Sequence, residues 1–147
     1  MKFAELVPGA ALHAGPRDVT EAEIIEFARR YDPQPFHVDR KWAAASRWGG
    51  LIASGWMTCS VAMEMAVELV LAGSESIASP GVEAIRWEHP VRPGDQLRLR
   101  VTVLSTRVGS SGELGILRWQ WELHNQHEIR VLSLIATSFF ELGPPAQ

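Results

Sequence analysis

Apolar residues in the first third of the chain recur at helical spacing. Ile24, Ala28 and Tyr31 follow one another at intervals of four and three residues, with charged residues between them. This spacing predicts an amphipathic helix. Residues 20–23 (Thr-Glu-Ala-Glu) have the order of a capping box, which places the start of the helix. Pro33 ends the helix, because proline drives the residue before it out of the helical region.

Two more helices are predicted before the middle of the chain. Asp39 can cap a short helix over residues 42–45, and Ser54 can cap a longer one over residues 55–72. The longer helix is apolar around almost its whole circumference, and its narrow polar stripe consists of Ser60, Glu64 and Glu68. A helix of this kind is buried. We therefore expect the rest of the protein to wrap it.

The second half of the chain alternates between apolar and polar residues. Four strands are predicted, over residues 82–88, 96–107, 114–124 and 129–142. The short turns between them indicate an antiparallel sheet, and the polar positions indicate one solvated face. With the apolar helix on the other face, the pattern predicts an α+β domain.

Length and charge narrow the class of protein. The 147 residues suit one domain over 1–147, and 46% hydrophobic with 21% charged residues is a globular composition. A formal net charge of −3 lacks the basic excess typical of nucleic-acid binders. The single cysteine, Cys59, excludes an internal disulfide and a multi-cysteine metal site.

The location predicted from the sequence is the cytoplasm. Glu5 and Pro8 interrupt the apolar run at the N-terminus, which is unlike a signal peptide. The longest apolar segment, 55–72, contains Glu64 and Glu68 and is shorter than the roughly 20 residues of a bilayer span. No membrane partner is expected.

Candidate chemistry is concentrated in the segment 32–37, Asp-Pro-Gln-Pro-Phe-His, which is predicted to be a loop. Two prolines restrict its backbone, so Asp32 and His37 would be preorganised as an acid–base pair. The pattern alone favours a simpler interpretation, in which Asp32 ends a helix and His37 is a structural loop residue. The other histidines, in strand or turn contexts without acidic partners, are interpreted as surface or edge residues: His13, His89, His124 and His127.

A second candidate is Ser54-Gly55 at the start of the long helix. Helix N-termini expose unpaired N–H groups and carry partial positive charge. A glycine there lets a ligand oxygen approach the backbone closely. The alternative is ordinary capping with a tight packing contact.

Taken together, the motif at 32–37 and the segment 49–55, Gly-Gly-Leu-Ile-Ala-Ser-Gly, resemble the MaoC-like dehydratases, the (R)-specific enoyl-CoA hydratases of the hot-dog fold. The segment 87–95, with its Pro-Val-Arg-Pro-Gly-Asp ending, and Asn125-Gln126 resemble the same family. The resemblance extends over roughly residues 20–140 and favours a catalytic role for Asp32 and His37. Gln34 departs from the asparagine of that family's motif.

The resemblance implies a hot-dog fold, an antiparallel sheet wrapped around the long central helix 55–72. It implies reversible addition of water to a trans-2-enoyl thioester of CoA or of acyl-carrier phosphopantetheine, giving a (3R)-hydroxyacyl thioester. Asp32 and His37 would activate the water, and Gly55 would supply the oxyanion hole. The residues implied to support them are Gln34, Ser54 and Ser60. No metal or redox cofactor is implied, and the expected assembly is a homodimer, or an assembly of dimers, formed by joining sheets.

Two alternatives stay open at this point. One is a hot-dog acyl-CoA thioesterase that uses Glu64 on the central helix, where the simpler interpretation is a polar stripe. The other is a non-catalytic acyl-CoA-binding subunit. Candidate walls of an acyl pocket, more simply explained as core residues, are Trp56, Met57 and Met63. Closure of the cleft is expected from a second subunit or from the loop 42–48.

Overall fold

Five antiparallel strands form one sheet in the computed structural model, which describes residues 1–144. The strands are β1 (Ala11–Asp18), β2 (Ser76–Trp87), β3 (Gln96–Val108), β4 (Leu114–His124) and β5 (Arg130–Glu141). Their order across the sheet is β1-β3-β4-β5-β2, so β1 and β2 are the two edges. Four α-helices lie between β1 and β2: α1 (Glu21–Tyr31), α2 (Pro35–Val38), α3 (Arg40–Ala45) and α4 (Gly55–Ala66).

The inner face of the sheet is the face that the alternating pattern predicts. Leu97, Leu99 and Val101 of β3 are completely buried, as are Trp119 and Leu123 of β4. They pack with the buried residues of α4 in one hydrophobic core. The α+β arrangement predicted from the hydrophobic pattern is therefore confirmed.

The helix starts follow the predicted caps. Thr20 accepts a hydrogen bond from the Glu23 amide, and the Glu23 side chain reaches back to the Thr20 amide, which completes the capping box. Asp39 accepts from the Trp42 amide at the start of α3. The segment after Asp32 differs from the prediction of a loop, because Pro35 at the first helical position starts the short helix α2.

The long helix lies against the sheet as expected, but the sheet does not reach its whole circumference. Its α-helical part ends at Ala66 and continues as a π-helical turn, Val67–Leu71. One face packs on the sheet, whereas Trp56, Met63 and Val67 are exposed. The apolar circumference therefore includes a face that this chain does not cover.

Strand β1 was not predicted because its sequence lacks a strand signature. Gly15 and Pro16 lie within it, and both residue types are unfavourable inside a strand. The structure accommodates them at a sheet edge, where the register shifts between Ala14 and Arg17. Over residues 1–144, no helix combines the length and hydrophobicity that a bilayer crossing requires.

Candidate active site

The ring of His37 is buried on α2 and contacts the protein through both nitrogens. Its Nδ1 lies 2.6 Å from the carbonyl oxygen of Ile52, and its Nε2 lies 3.2 Å from Oδ2 of Asp32. The Phe36 carbonyl accepts a hydrogen bond from the Ile52 amide, so the two segments are joined by a second contact. The imidazole consequently has one fixed orientation.

These contacts determine the protonation of the ring. A carbonyl oxygen only accepts hydrogen bonds, so Nδ1 of His37 carries a hydrogen toward Ile52. A neutral imidazole has no second N–H, and its Nε2 lone pair would then face the carboxylate of Asp32. Of the two ring nitrogens, only Nε2 is therefore placed to exchange a proton with Asp32.

Asp32 lies where α1 ends, and three side chains contact its carboxylate. Gln34 donates to Oδ1 at 2.7 Å, Ser54 donates to Oδ2 at 2.8 Å, and His37 contacts Oδ2. Partial burial by itself would raise the pKa of Asp32, but the hydrogen-bond donors and the contact with His37 outweigh it and hold that pKa below its usual range. A carboxylate has about four acceptor positions, so one position is left for a water molecule.

The N-terminus of α4 lies against this pair. Ser54 caps the helix by accepting from the Trp56 amide at 3.3 Å, and the same hydroxyl donates to Asp32. The Ala53 amide donates to the Val91 carbonyl at 2.8 Å, which joins the helix start to the segment after β2. Within residues 1–144, the Gly55 amide at the first helical position has no hydrogen-bond acceptor. It is a free donor at the positive end of a helix.

Asp32, His37 and Gly55 together line one open cavity of about 540 Å³, as the family resemblance implied. Of the segment 42–48, which was expected to close the cleft, Trp48 after the end of α3 lines the cavity. Further wall residues that sequence reasoning missed or interpreted as surface come from β2 and its exit: Trp87, Glu88, His89, Pro90 and Val91.

Two predicted site residues lie elsewhere. The Ser60 hydroxyl donates to the Trp56 carbonyl at 2.8 Å and is exposed, so the support expected from Ser60 comes from Ser54 instead. Glu64 forms an ion pair with Arg17 at 3.0 Å. Both residues line a separate cavity of about 290 Å³ between α1 and α4. The reason is rotation along the helix, because positions five and nine residues after Gly55 face α1.

The three residues proposed as walls of an acyl pocket do not lie together. Trp56 lines the cavity with Asp32, whereas Met57 lines the other cavity and Met63 is exposed on the uncovered face of α4. Among the described residues, no group of three or more histidine, cysteine or acidic side chains could hold a metal ion.

Comparisons with known proteins agree with this architecture. A family model described as "MaoC like domain" matches residues 3–118. An uncharacterized protein of Bacillus subtilis, YdeM, is 33% identical over 131 residues, covering 89% of this chain and 92% of YdeM. The crystal structure of a MaoC-like dehydratase from Rhodospirillum rubrum superposes with a TM-score of 0.86 at 34% identity, covering 97% of each chain.

More distant structures establish the fold alone. The R-hydratase PhaJ1 from Pseudomonas aeruginosa superposes with a TM-score of 0.74 at 23% identity, covering 99% of this chain and 94% of that chain. The hot-dog fold expected from the sequence is confirmed by this match and by the antiparallel sheet around α4.

Proposed function

The chain belongs to the MaoC-like domain family, and we propose that it is a hydratase that adds water reversibly to trans-2-enoyl thioesters. The substrate is linked to CoA or to acyl-carrier phosphopantetheine, and the product is the (3R)-hydroxyacyl thioester. The observation that supports this most directly is the convergence of Asp32, His37 and the free Gly55 amide on one cavity.

The thioester carbonyl binds at the N-terminus of α4. When water adds to C3, negative charge develops on the carbonyl oxygen, and the Gly55 amide donates a hydrogen bond to it. An oxyanion donor of this kind is worth about 3 kcal/mol or more of barrier. The partial positive charge of the helix end acts in the same direction.

Asp32 and His37 move the protons. The water bound at the remaining acceptor position of Asp32 gives one proton to the carboxylate while its oxygen bonds to C3. The C2–C3 π pair moves toward the thioester oxygen, and His37 Nε2–H then protonates C2. The proton on Asp32 passes to His37 across the 3.2 Å contact, which regenerates the carboxylate and the proton donor for the next cycle. These steps use proton transfer and charge stabilisation, so they require no metal or redox cofactor.

The thioesterase alternative has weaker support. Its candidate carboxylate, Glu64, is paired with Arg17 and lies in the other cavity, away from the Gly55 amide. A non-catalytic subunit would not need a carboxylate to be held by three donors. A hydratase accounts for both features.

Purified protein supplied with crotonyl-CoA tests the proposal directly. We expect loss of the enoyl-thioester absorbance without release of free thiol, and chiral analysis should identify the 3R alcohol. Thiol release without hydration would indicate the thioesterase. Binding without either reaction, across several acyl-chain lengths, would indicate the non-catalytic subunit.

The proposed assembly is a homodimer formed along β2. This strand is a sheet edge, and it carries three exposed large apolar residues: Ile77, Val82 and Trp87. The other edge, β1, carries none. The uncovered face of α4 adds Trp56 and Met63. A second copy would pair the free edge and cover this apolar surface.

The pH dependence follows from the lowered pKa of Asp32. The folded-state pKa of Asp32 lies below that of the unfolded chain, so ionised Asp32 stabilises the fold above the unfolded value. That contribution is lost as the pH falls through the folded value. Since Asp32 takes the proton from water, we expect the ionised base to be retained in kcat/KM from pH 7 down to about pH 5. An acid limb of the pH–rate profile at or above the ordinary range of a carboxyl group would contradict this role of Asp32.

Ser54 and Ser60 provide a matched pair of variants. Ser54→Ala removes a donor to Asp32 and the helix cap, so kcat should fall about 10-fold and the unfolding free energy by about 1 kcal/mol. The pKa of Asp32 should rise, which moves the acid limb of the pH–rate profile upward. Ser60→Ala should leave both quantities unchanged, because its hydroxyl bonds only to the Trp56 carbonyl. Equal effects of the two variants on kcat and on the acid limb would contradict the role of Ser54.

A further inference from the structure

The first turn of α4 is held from outside the helix by a residue of the sheet. Trp87, the last residue of β2, donates from Nε1 to the carbonyl oxygen of Gly55 at 2.8 Å. In an α-helix that carbonyl also accepts from the amide four residues later. Its second acceptor position is therefore used by the indole.

The same indole explains why residue 55 is a glycine. A Cβ at Gly55 would lie 2.5 Å from Cε2 of Trp87 and 2.7 Å from its Nε1, which is closer than atoms in contact can approach. The backbone angle at Gly55 is not in the left-handed region, so its conformation alone would permit a side chain. The glycine is required by the ring that packs against it.

Trp87 is itself anchored to a rigid part of the protein. It pairs with Leu132 of β5, a completely buried residue, and the next amide, of Glu88, donates to the Val131 carbonyl. The edge of the Trp56 ring packs against it, with centroids 5.2 Å apart. The indole thus joins the end of the edge strand β2 to the one turn of α4 that carries the free amide.

We propose that Trp87 is a positioning residue, which aligns the Gly55 amide with the thioester oxygen by holding the Gly55 carbonyl and packing on its Cα. This inference rests on the proposed hydratase function. Helix ends fray more readily than helix centres. Without the indole the first turn of α4 keeps its cap but loses this hydrogen bond from β2, and the oxyanion donor loses its fixed direction.

Trp87→Phe removes the hydrogen bond from Nε1 and keeps an aromatic ring at position 87. We expect kcat for crotonyl-CoA to fall about 10-fold with KM within about twofold, because the interaction lost is one made to the transition state.

Trp42→Phe is the matched control. Trp42 is 48% exposed, close to the 46% of Trp87, but it does not line the cavity. Its kcat should stay within about twofold of wild type. A rise in KM with unchanged kcat in Trp87→Phe would make Trp87 a substrate contact and overturn the proposal.

The packing contact is tested by a double-mutant cycle on thermal unfolding. Gly55→Ala should lower the midpoint strongly in the wild-type background and much less in a Trp87→Ala background, where the ring is absent. Equal losses in both backgrounds would overturn the packing claim. A wild-type protein without hydratase activity would instead refute the proposed function and, with it, the role of Trp87 in positioning the oxyanion donor. The double-mutant cycle on thermal unfolding would still show whether the Trp87 ring packs against residue 55.

Discussion

Asp32→Asn and His37→Ala should each lower the turnover of crotonyl-CoA by about 100-fold or more, since each removes one half of the proton-transfer pair. An asparagine at position 32 keeps the size of the side chain but cannot take a proton from water. Without the imidazole, no acid protonates C2, and Asp32 cannot pass on the proton that it took from water. The double variant should be little worse than either single variant, because the two residues act as one unit.

The controls for these variants separate chemistry from folding. His37 is 4% exposed and bonds to Ile52, so His37→Ala leaves a buried space, and His37→Gln is the second variant that refills it. Asp39→Asn and His13→Ala are matched substitutions outside the cavity and should retain wild-type turnover. Circular dichroism verifies the fold of each variant. Turnover near wild type in folded Asp32→Asn or His37→Gln would remove that residue from the mechanism.

The parts of the site that the sequence predicts are those determined by local chemistry. Residues 32–37 and the serine cap of α4 are short segments in which proline and capping preferences act over a few positions. Their meeting in one cavity followed from the family resemblance and not from the spacing. The structure explains the meeting by hydrogen bonds that join Phe36 to Ile52 and Ala53 to Val91.

The residues that the sequence did not reveal act across long separations. Trp87 is 32 positions from the glycine it contacts, and no periodicity links the two. His89 was interpreted as a surface residue because a single strand pattern does not show which cavity its end approaches. Ser60 was placed beside Asp32 by resemblance, but the rotation of α4 turns it toward α1. Helix phase relative to a neighbouring loop is a tertiary property, so it was not available from the pattern.

The uncovered face of α4 has a similar origin. An apolar circumference predicts burial, but it does not distinguish burial by the same chain from burial by a second copy. In the single chain, Met63 and Val67 remain exposed. The pattern therefore predicted the apolar circumference correctly, and the face that the sheet does not reach is left for the second copy of the proposed dimer to cover.

Val82→Lys should dissociate the proposed dimer. Val82 lies on β2 and is 49% exposed in the single chain, and pairing along this edge would bury it. A lysine there would place an unpaired charge from each copy inside the interface, at a cost of several kcal/mol. Since each 1.4 kcal/mol is a factor of ten, the dissociation constant should rise by about 100-fold or more. Light scattering coupled to size exclusion measures the change in mass.

Val108→Lys is the matched control for this surface. Val108 is 53% exposed at the end of β3, an interior strand of the sheet, so the same substitution adds the same charge away from the β2 edge. It should leave the mass of a dimer unchanged. Dimers that persist in Val82→Lys, or that dissociate equally in Val108→Lys, would place the interface on another face of the molecule.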